Sequence, residues 1–100
     1  MAKVRLTRRA AADLAEIAAY TIAQFGIAQA RRHRDAFEQE FSGLLARPRR
    51  GRPVDWLAPG LRRVRVGPHA VYYRTDERGI LIVRILHARM DAPRHPMADN

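Results

Sequence analysis

The chain has no cysteine, which excludes a disulfide framework and any thiol nucleophile. Its only serine, Ser42, falls inside a helical stretch with no histidine or carboxylate spaced to complete a triad. No apolar run is long enough to cross a membrane and no secretory signal is visible, so the expectation is a cytosolic protein with no membrane role. Histidines are few, and His33, His69, His87 and His95 lack ligand spacing, so neither a metal nor another cofactor is expected. No glycine-rich phosphate loop follows a strand either, because the glycines at 51, 60, 67 and 79 read as turn residues. Only seven residues are aromatic, which predicts a thin core.

What the chain has in abundance is arginine. Net charge is +9, and eighteen of its nineteen basic residues are arginine. Residues 1–46 carry net +2 and residues 47–100 net +7, so the charge is polarised toward the second half and implies a polyanionic or acidic partner. A length of 100 residues fits one domain, 1–100, with 92–100 as a C-terminal tail. By the usual scaling such a domain buries about 60 to 68% of its unfolded surface, too little for a large enclosed active site.

The chain is organised around residues 69–91. Two runs rich in β-branched and aromatic residues, Ala70 to Thr75 and Ile80 to Leu86, flank Asp76-Glu77-Arg78-Gly79, a hairpin turn in which Gly79 supplies φ > 0. Strict alternation puts Val83, Ile85 and His87 on the core face and Ile82, Arg84 and Leu86 on a face open to solvent or a partner. Upstream, Lys3 to Leu6 reads as a short strand and Thr7 as a helix N-cap. Leu14, Ile17, Thr21 and Phe25 follow at helical spacing until Gly26. A second helix starts near Ile27 and carries Phe37, Phe41, Leu44 and Leu45 before Pro48 ends it. Residues 47–60 hold three of the six prolines and read as a loop in which Trp56 plugs the edge of the core, and Leu61 to Val66 is a strand. The expected fold is therefore α+β: a short strand and an antiparallel helical hairpin packed on a curved, mainly antiparallel sheet, in the order β-α-α-β-β-β.

On that sheet Arg63, Arg65, Arg74 and Arg84 are expected to share one open surface, with Arg62, His87 and Arg89 near the strand ends. Such a patch binds carboxylate or phosphate through guanidinium forks. With His87 as acid or base it also has the composition of a site for in-line RNA cleavage, although a packed histidine at a strand end is the simpler reading.

The residues then fall into a recognisable series: Leu6-Thr7-x-x-Ala10, Asp13-Leu14-x-x-Ile17-x-x-Tyr20, Gly26 before Gln29-Ala30, Pro48-x-x-Gly51-Arg52, Pro59-Gly60-Leu61-Arg62, Tyr73-Arg74, and Val83-Arg84-Ile85-Leu86-His87-x-Arg89-Met90-Asp91 before His95. In this order the chain resembles the ParE-like toxins of the RelE/ParE superfamily, from bacterial type II toxin-antitoxin modules. The resemblance implies a small cytoplasmic toxin that inhibits DNA gyrase by binding, without catalysis, and a cognate antitoxin whose acidic C-terminal segment neutralises it in a hetero-oligomer. The candidate partner-binding residues are the arginines of the basic patch, Arg62, Arg63, Arg65, Arg74, Arg84 and Arg89, together with Trp56. The alternative the resemblance carries is a RelE-like, ribosome-dependent and metal-independent mRNA endoribonuclease using Arg62, Arg84 and His87. Pro96 stands where the pattern has an apolar residue, which bears on how the C-terminal tail packs.

Overall fold

The computed structural model describes residues 2–99. Its elements run β1 (Lys3–Leu6), α1 (Arg8–Phe25), α2 (Ile27–Ala46), β2 (Arg52–Pro53), β3 (Arg62–Val66), β4 (His69–Asp76) and β5 (Gly79–His87), with a 3-10 turn at Ala92–Arg94. The five strands form one sheet in the order β1-β5-β4-β3-β2, with β1 parallel to β5 and the remaining pairs antiparallel. This is the expected α+β arrangement, with one strand more than anticipated: Arg52 and Pro53 form a two-residue edge strand inside the segment read as loop.

Local chemistry sets the element boundaries. The Thr7 hydroxyl caps α1 by accepting from the Ala10 amide at 3.0 Å, and the same hydroxyl donates to the Val83 carbonyl at 2.8 Å, so the cap also docks the helix on β5. Gly26 alone separates the helices, as its position predicts. In the β4–β5 hairpin Asp76 pairs with Gly79 across Glu77 and Arg78, and Asp76 Oδ1 accepts the Arg78 amide at 2.8 Å. Gly79 has φ of 122°, and a Cβ there would lie 2.4 Å from the Lys3 carbonyl oxygen, so glycine serves both the turn and the close approach of β1.

The alternation expected for β5 fails at one point. Tyr73 pairs with Ile82 but Tyr72 pairs with Arg84, so Val83 is an extra residue and β5 carries a bulge. Before the bulge Ile80 and Ile82 face the helices. After it Ile85 does, while Val83 and Leu86 face the opposite side. Arg84 reaches α1 through its ion pair with Asp13 and is 8% exposed, while Ile82 and Leu86 are buried on opposite sides of the sheet, so the expectation of an open face at Ile82, Arg84 and Leu86 is corrected.

The sheet is covered on both sides. Phe37, Phe41 and Leu44 of α2 and Ala10, Leu14 and Ile17 of α1 pack on Val71, Tyr73 and the β5 isoleucines. At about 1.5 to 3 kcal/mol per large apolar side chain removed from water, this layer is the main stabilising term. The other face holds a second, smaller cluster of Leu61, Ala70, Tyr72, Val83 and Leu86, covered by Val54, Ala92 and Met97. Residues 92–99 therefore continue the packing: Met97 enters this cluster, and Arg74 donates to the Met97 carbonyl and the Asp99 carboxylate. Pro96 leaves the tail docked. Trp56 does not plug the core edge. It is 73% exposed, because Val54 and Leu61 at the base of its loop already fill that space.

Candidate partner-binding site

The apolar stripe of α1 outruns the sheet beneath it. Ala10 and Thr21 are buried, but one turn further Phe25 is 67% exposed, and Tyr20, Ile22 and Ile27 beside it are also open to solvent. The tip of the helical hairpin thus projects with four large apolar side chains uncovered, an arrangement that marks an interaction surface in a small soluble domain.

Below that tip lies a groove of about 910 Å³ between the helices and the far end of the β4–β5 hairpin. Tyr20 and Phe25 form its α1 wall, Gln29 and His33 its α2 wall, and Leu86 and Met90 its sheet end. At its foot is an ion pair of two side chains that are each close to 10% exposed. Asp13 Oδ2 accepts from Arg84 Nε at 2.9 Å and from the Ile85 amide at 2.9 Å, while Oδ1 accepts from Arg84 Nη2 at 3.0 Å. The Asp13 hydrogen bonds raise the Arg84 pKa above its ordinary value, so the guanidinium is charged at every accessible pH. Arg84 is accordingly a clamp between α1 and the β5 bulge.

Three histidines meet on the groove wall. His69 and His87 are cross-strand partners whose rings lie 5.7 Å apart, and His33 comes from α2 to within 5.1 Å of His69. Burial, and then repulsion from His33 and His87, pushes the His69 pKa down to about 4, and burial lowers that of His33. Both rings are therefore neutral at pH 7 and stack against Phe37. Their convergence was missed in the sequence, although a signal existed: His33 lies four residues before Phe37 on the core stripe of α2. Among the described residues no group of three or more histidine or acidic side chains is arranged to hold a metal ion.

The remaining arginines divide into two sets. Arg62 Nη1 donates to the Gly51 carbonyl at 2.6 Å and to that of Arg49, so it braces the 47–52 loop and does not line the groove with Arg84 and His87. In the same loop the Tyr73 hydroxyl donates to the Pro48 carbonyl and accepts the Gly51 amide, both at 2.8 Å. A Cβ on Gly51 would sit 2.6 Å from that hydroxyl. Arg74 holds the C-terminal segment. Arg62, Arg74 and Arg84 are thus occupied within the fold, whereas Arg65, Arg89 and Trp56 are exposed and Arg63 is half-buried. His87 is exposed, with its Nδ1 accepting the Arg89 amide at 3.1 Å.

A helical hairpin packed on a five-stranded sheet in this order has known counterparts. Residues 4–92 match the family described as the ParE toxin of the type II toxin-antitoxin system parDE. The chain belongs to the ParE toxin family. It is 36% identical over 95 residues to Toxin ParE1 of Caulobacter vibrioides, covering 95% of this chain and 98% of that one. Toxin ParE1 of Mycobacterium tuberculosis is 37% identical over 91 residues, with 90% and 93% covered. Among solved structures, the chromosomal ParDE TA system from P. aeruginosa superposes with a TM-score of 0.73 at 27% identity, over 87% of this chain and 96% of that chain. The protein is therefore the toxin component of a type II toxin-antitoxin module, and its partner is an antitoxin. Among the described residues no helix is long and apolar enough to cross a membrane.

Proposed function

We propose that this ParE-family toxin acts in the cytoplasm, as a single domain, by binding DNA gyrase and stalling its supercoiling cycle, with no bond chemistry of its own. The observation that carries the binding reading is the state of the three residues a nuclease needs. Arg84 is neutralised by Asp13, Arg62 is tied to the 49–51 backbone, and His87 stands at the groove without either of them as a free cation. A transition-state phosphate has no assembled pair of guanidinium donors there.

The antitoxin is proposed to cover the hairpin tip and the groove beneath it with an amphipathic, acidic segment. Tyr20, Phe25 and Met90 offer apolar contact, and Arg32 and Arg89 stand at or near the rim to meet carboxylates. A disordered segment that folds on such a surface gains affinity from this burial. Of the arginines expected to meet partners, Arg63, Arg65 and Arg89 remain available.

Replacing His87 with glutamine separates binding from catalysis. General acid-base groups contribute about 10²- to 10⁴-fold in rate. A binder keeps its growth-arresting potency in His87→Gln, and primer extension on translated mRNA shows no toxin-dependent cuts. Cuts that the wild type makes and His87→Gln does not would replace this reading with the ribosome-dependent endoribonuclease.

A further inference from the structure

We propose that the β2–β3 edge, together with the Val54–Leu61 loop, is a binding surface for single-stranded nucleic acid. Arg52 lies directly opposite Arg63 in the ladder, a like-charge pairing that costs stability unless an anion offsets it. Arg65 extends the row two residues along β3, about 6.7 Å further on the same face. The carboxylates nearby are already engaged: Glu40 faces Arg50 at 3.2 Å, and Asp91 faces Arg94 at 3.3 Å. Among the described residues Arg52, Arg63 and Arg65 have no carboxylate partner, and Arg65 is bonded only to the Gly67 carbonyl.

Beside this row stands Trp56, in a concavity of about 510 Å³ that Arg52, Arg63 and Tyr72 also line. Its exposure is not that of a loose loop. Backbone bonds from Val54 to Leu61, Leu57 to Val54 and Leu61 to Ala58 close the loop, Asp55 accepts the Gly60 amide, and Val54 and Leu61 are buried at its base. The indole is therefore held out on a fixed support, and the Arg63 guanidinium is set over the Tyr72 ring at 6.0 Å. An aromatic face beside a row of unpaired guanidinium groups suits a strand whose bases are free to stack and whose phosphates lie in line. A peptide adding as a sixth strand fits less well, because β2 is two residues long and Pro53 has no amide to donate. The inference goes beyond the gyrase reading and holds or fails whatever the cellular target is.

Trp56 is the only tryptophan, so its fluorescence reports on this surface directly. The full-length toxin is titrated with an oligothymidylate and an oligouridylate of equal length. Both are expected to quench Trp56, and the tighter of the two identifies DNA or RNA as the natural ligand. By anisotropy of the labelled oligomers, Trp56→Ala weakens binding about 5- to 150-fold, the range for one stacked base. Arg63→Ala lowers the dependence of log K on log salt by about 0.7, one phosphate contact on a single strand. Melting curves of the variants establish that they fold. Absence of binding at low salt, or binding unchanged in both variants, overturns the proposal. So does a polyglutamate peptide that quenches Trp56 at lower concentration than either oligomer, which would make this edge a surface for acidic protein.

Discussion

Replacing Asp13 with alanine should be among the most damaging single changes to this toxin, because its carboxylate holds the toxin's own fold together. The carboxylate accepts three hydrogen bonds, two from Arg84 and one from the Ile85 amide. Its removal strands a guanidinium in a residue 8% exposed, whose Nη1 already lacks a partner, and leaves a backbone amide unpaired at the bulge. Breaking one side of a buried ion pair costs about 3 to 5 kcal/mol. At roughly 4 to 8 °C per kcal/mol for a domain of this size, the melting temperature should fall by about 12 to 40 °C. That is a large share of the ~5 to 15 kcal/mol available to a small domain. The double variant Asp13→Leu/Arg84→Met, which removes both charges and keeps apolar volume, should recover much of the loss. Thermal and urea unfolding followed by circular dichroism measure both. If Asp13→Ala melts within a few degrees of the wild type, or the double variant is worse than the sum of its parts, the clamp does not hold α1 to β5 and the reasoning is refuted. The same cycle predicts that Arg84→Ala weakens antitoxin binding only through misfolding of the toxin.

Acid should destabilise the domain in a defined window. His69 has a pKa near 6.5 in the unfolded chain and about 4 in the fold, so between these values the unfolded state binds more protons and stability falls as pH drops from 6.5 toward 4. Allowing for the partial exposure of the ring, the loss is about 1 to 2 kcal/mol, and unfolding of His69→Gln should have a flatter pH dependence than wild type across that window. Tyr73→Phe removes the hydroxyl that joins Pro48 to Gly51 and should cost about 1 to 3 kcal/mol, with faster proteolysis inside the 47–52 loop. Phe25→Asp, at a position 67% exposed, should leave the melting temperature within a few degrees while weakening antitoxin binding by at least about tenfold in calorimetry. Saturating antitoxin at about a thousandfold over its Kd should add about 4 kcal/mol to the stability of the toxin, read as a rise in Tm. An unchanged Tm would mean that the hairpin tip is not a surface awaiting a partner.

Local signals in the sequence carry most of this fold. Thr7 as cap, Gly26 as the joint between helices and Gly79 in the hairpin turn are each dictated by the residue and its neighbours, and each stands where its chemistry places it. The features that sequence reasoning misplaced depend on distant partners. No glycine or proline marks the bulge at Val83–Arg84. It is fixed by Thr7 on the Val83 carbonyl and by Asp13 on Arg84 and the Ile85 amide, more than seventy residues away. One extra residue there breaks the strict alternation, so Ile82 faces the helices and Val83 the opposite side, the reverse of what an unbroken strand gives, and Arg84 lies against α1 because Asp13 holds it there. The second face of the sheet was expected to be bare because its cover, Val54, Ala92 and Met97, comes from segments without periodicity. The three-histidine wall joins α2 to both strands of the hairpin, and the one local signal for it, His33 four residues before Phe37, places only the first of the three.

Supercoiling of relaxed plasmid by purified gyrase tests the central claim most directly, with toxin added alone and then with its antitoxin. The proposed mechanism predicts loss of supercoiled product or accumulation of cleaved DNA with toxin, unchanged by His87→Gln and reversed by antitoxin. A toxin that leaves gyrase fully active at large molar excess, while the same preparation cuts mRNA in a translation extract, would contradict it.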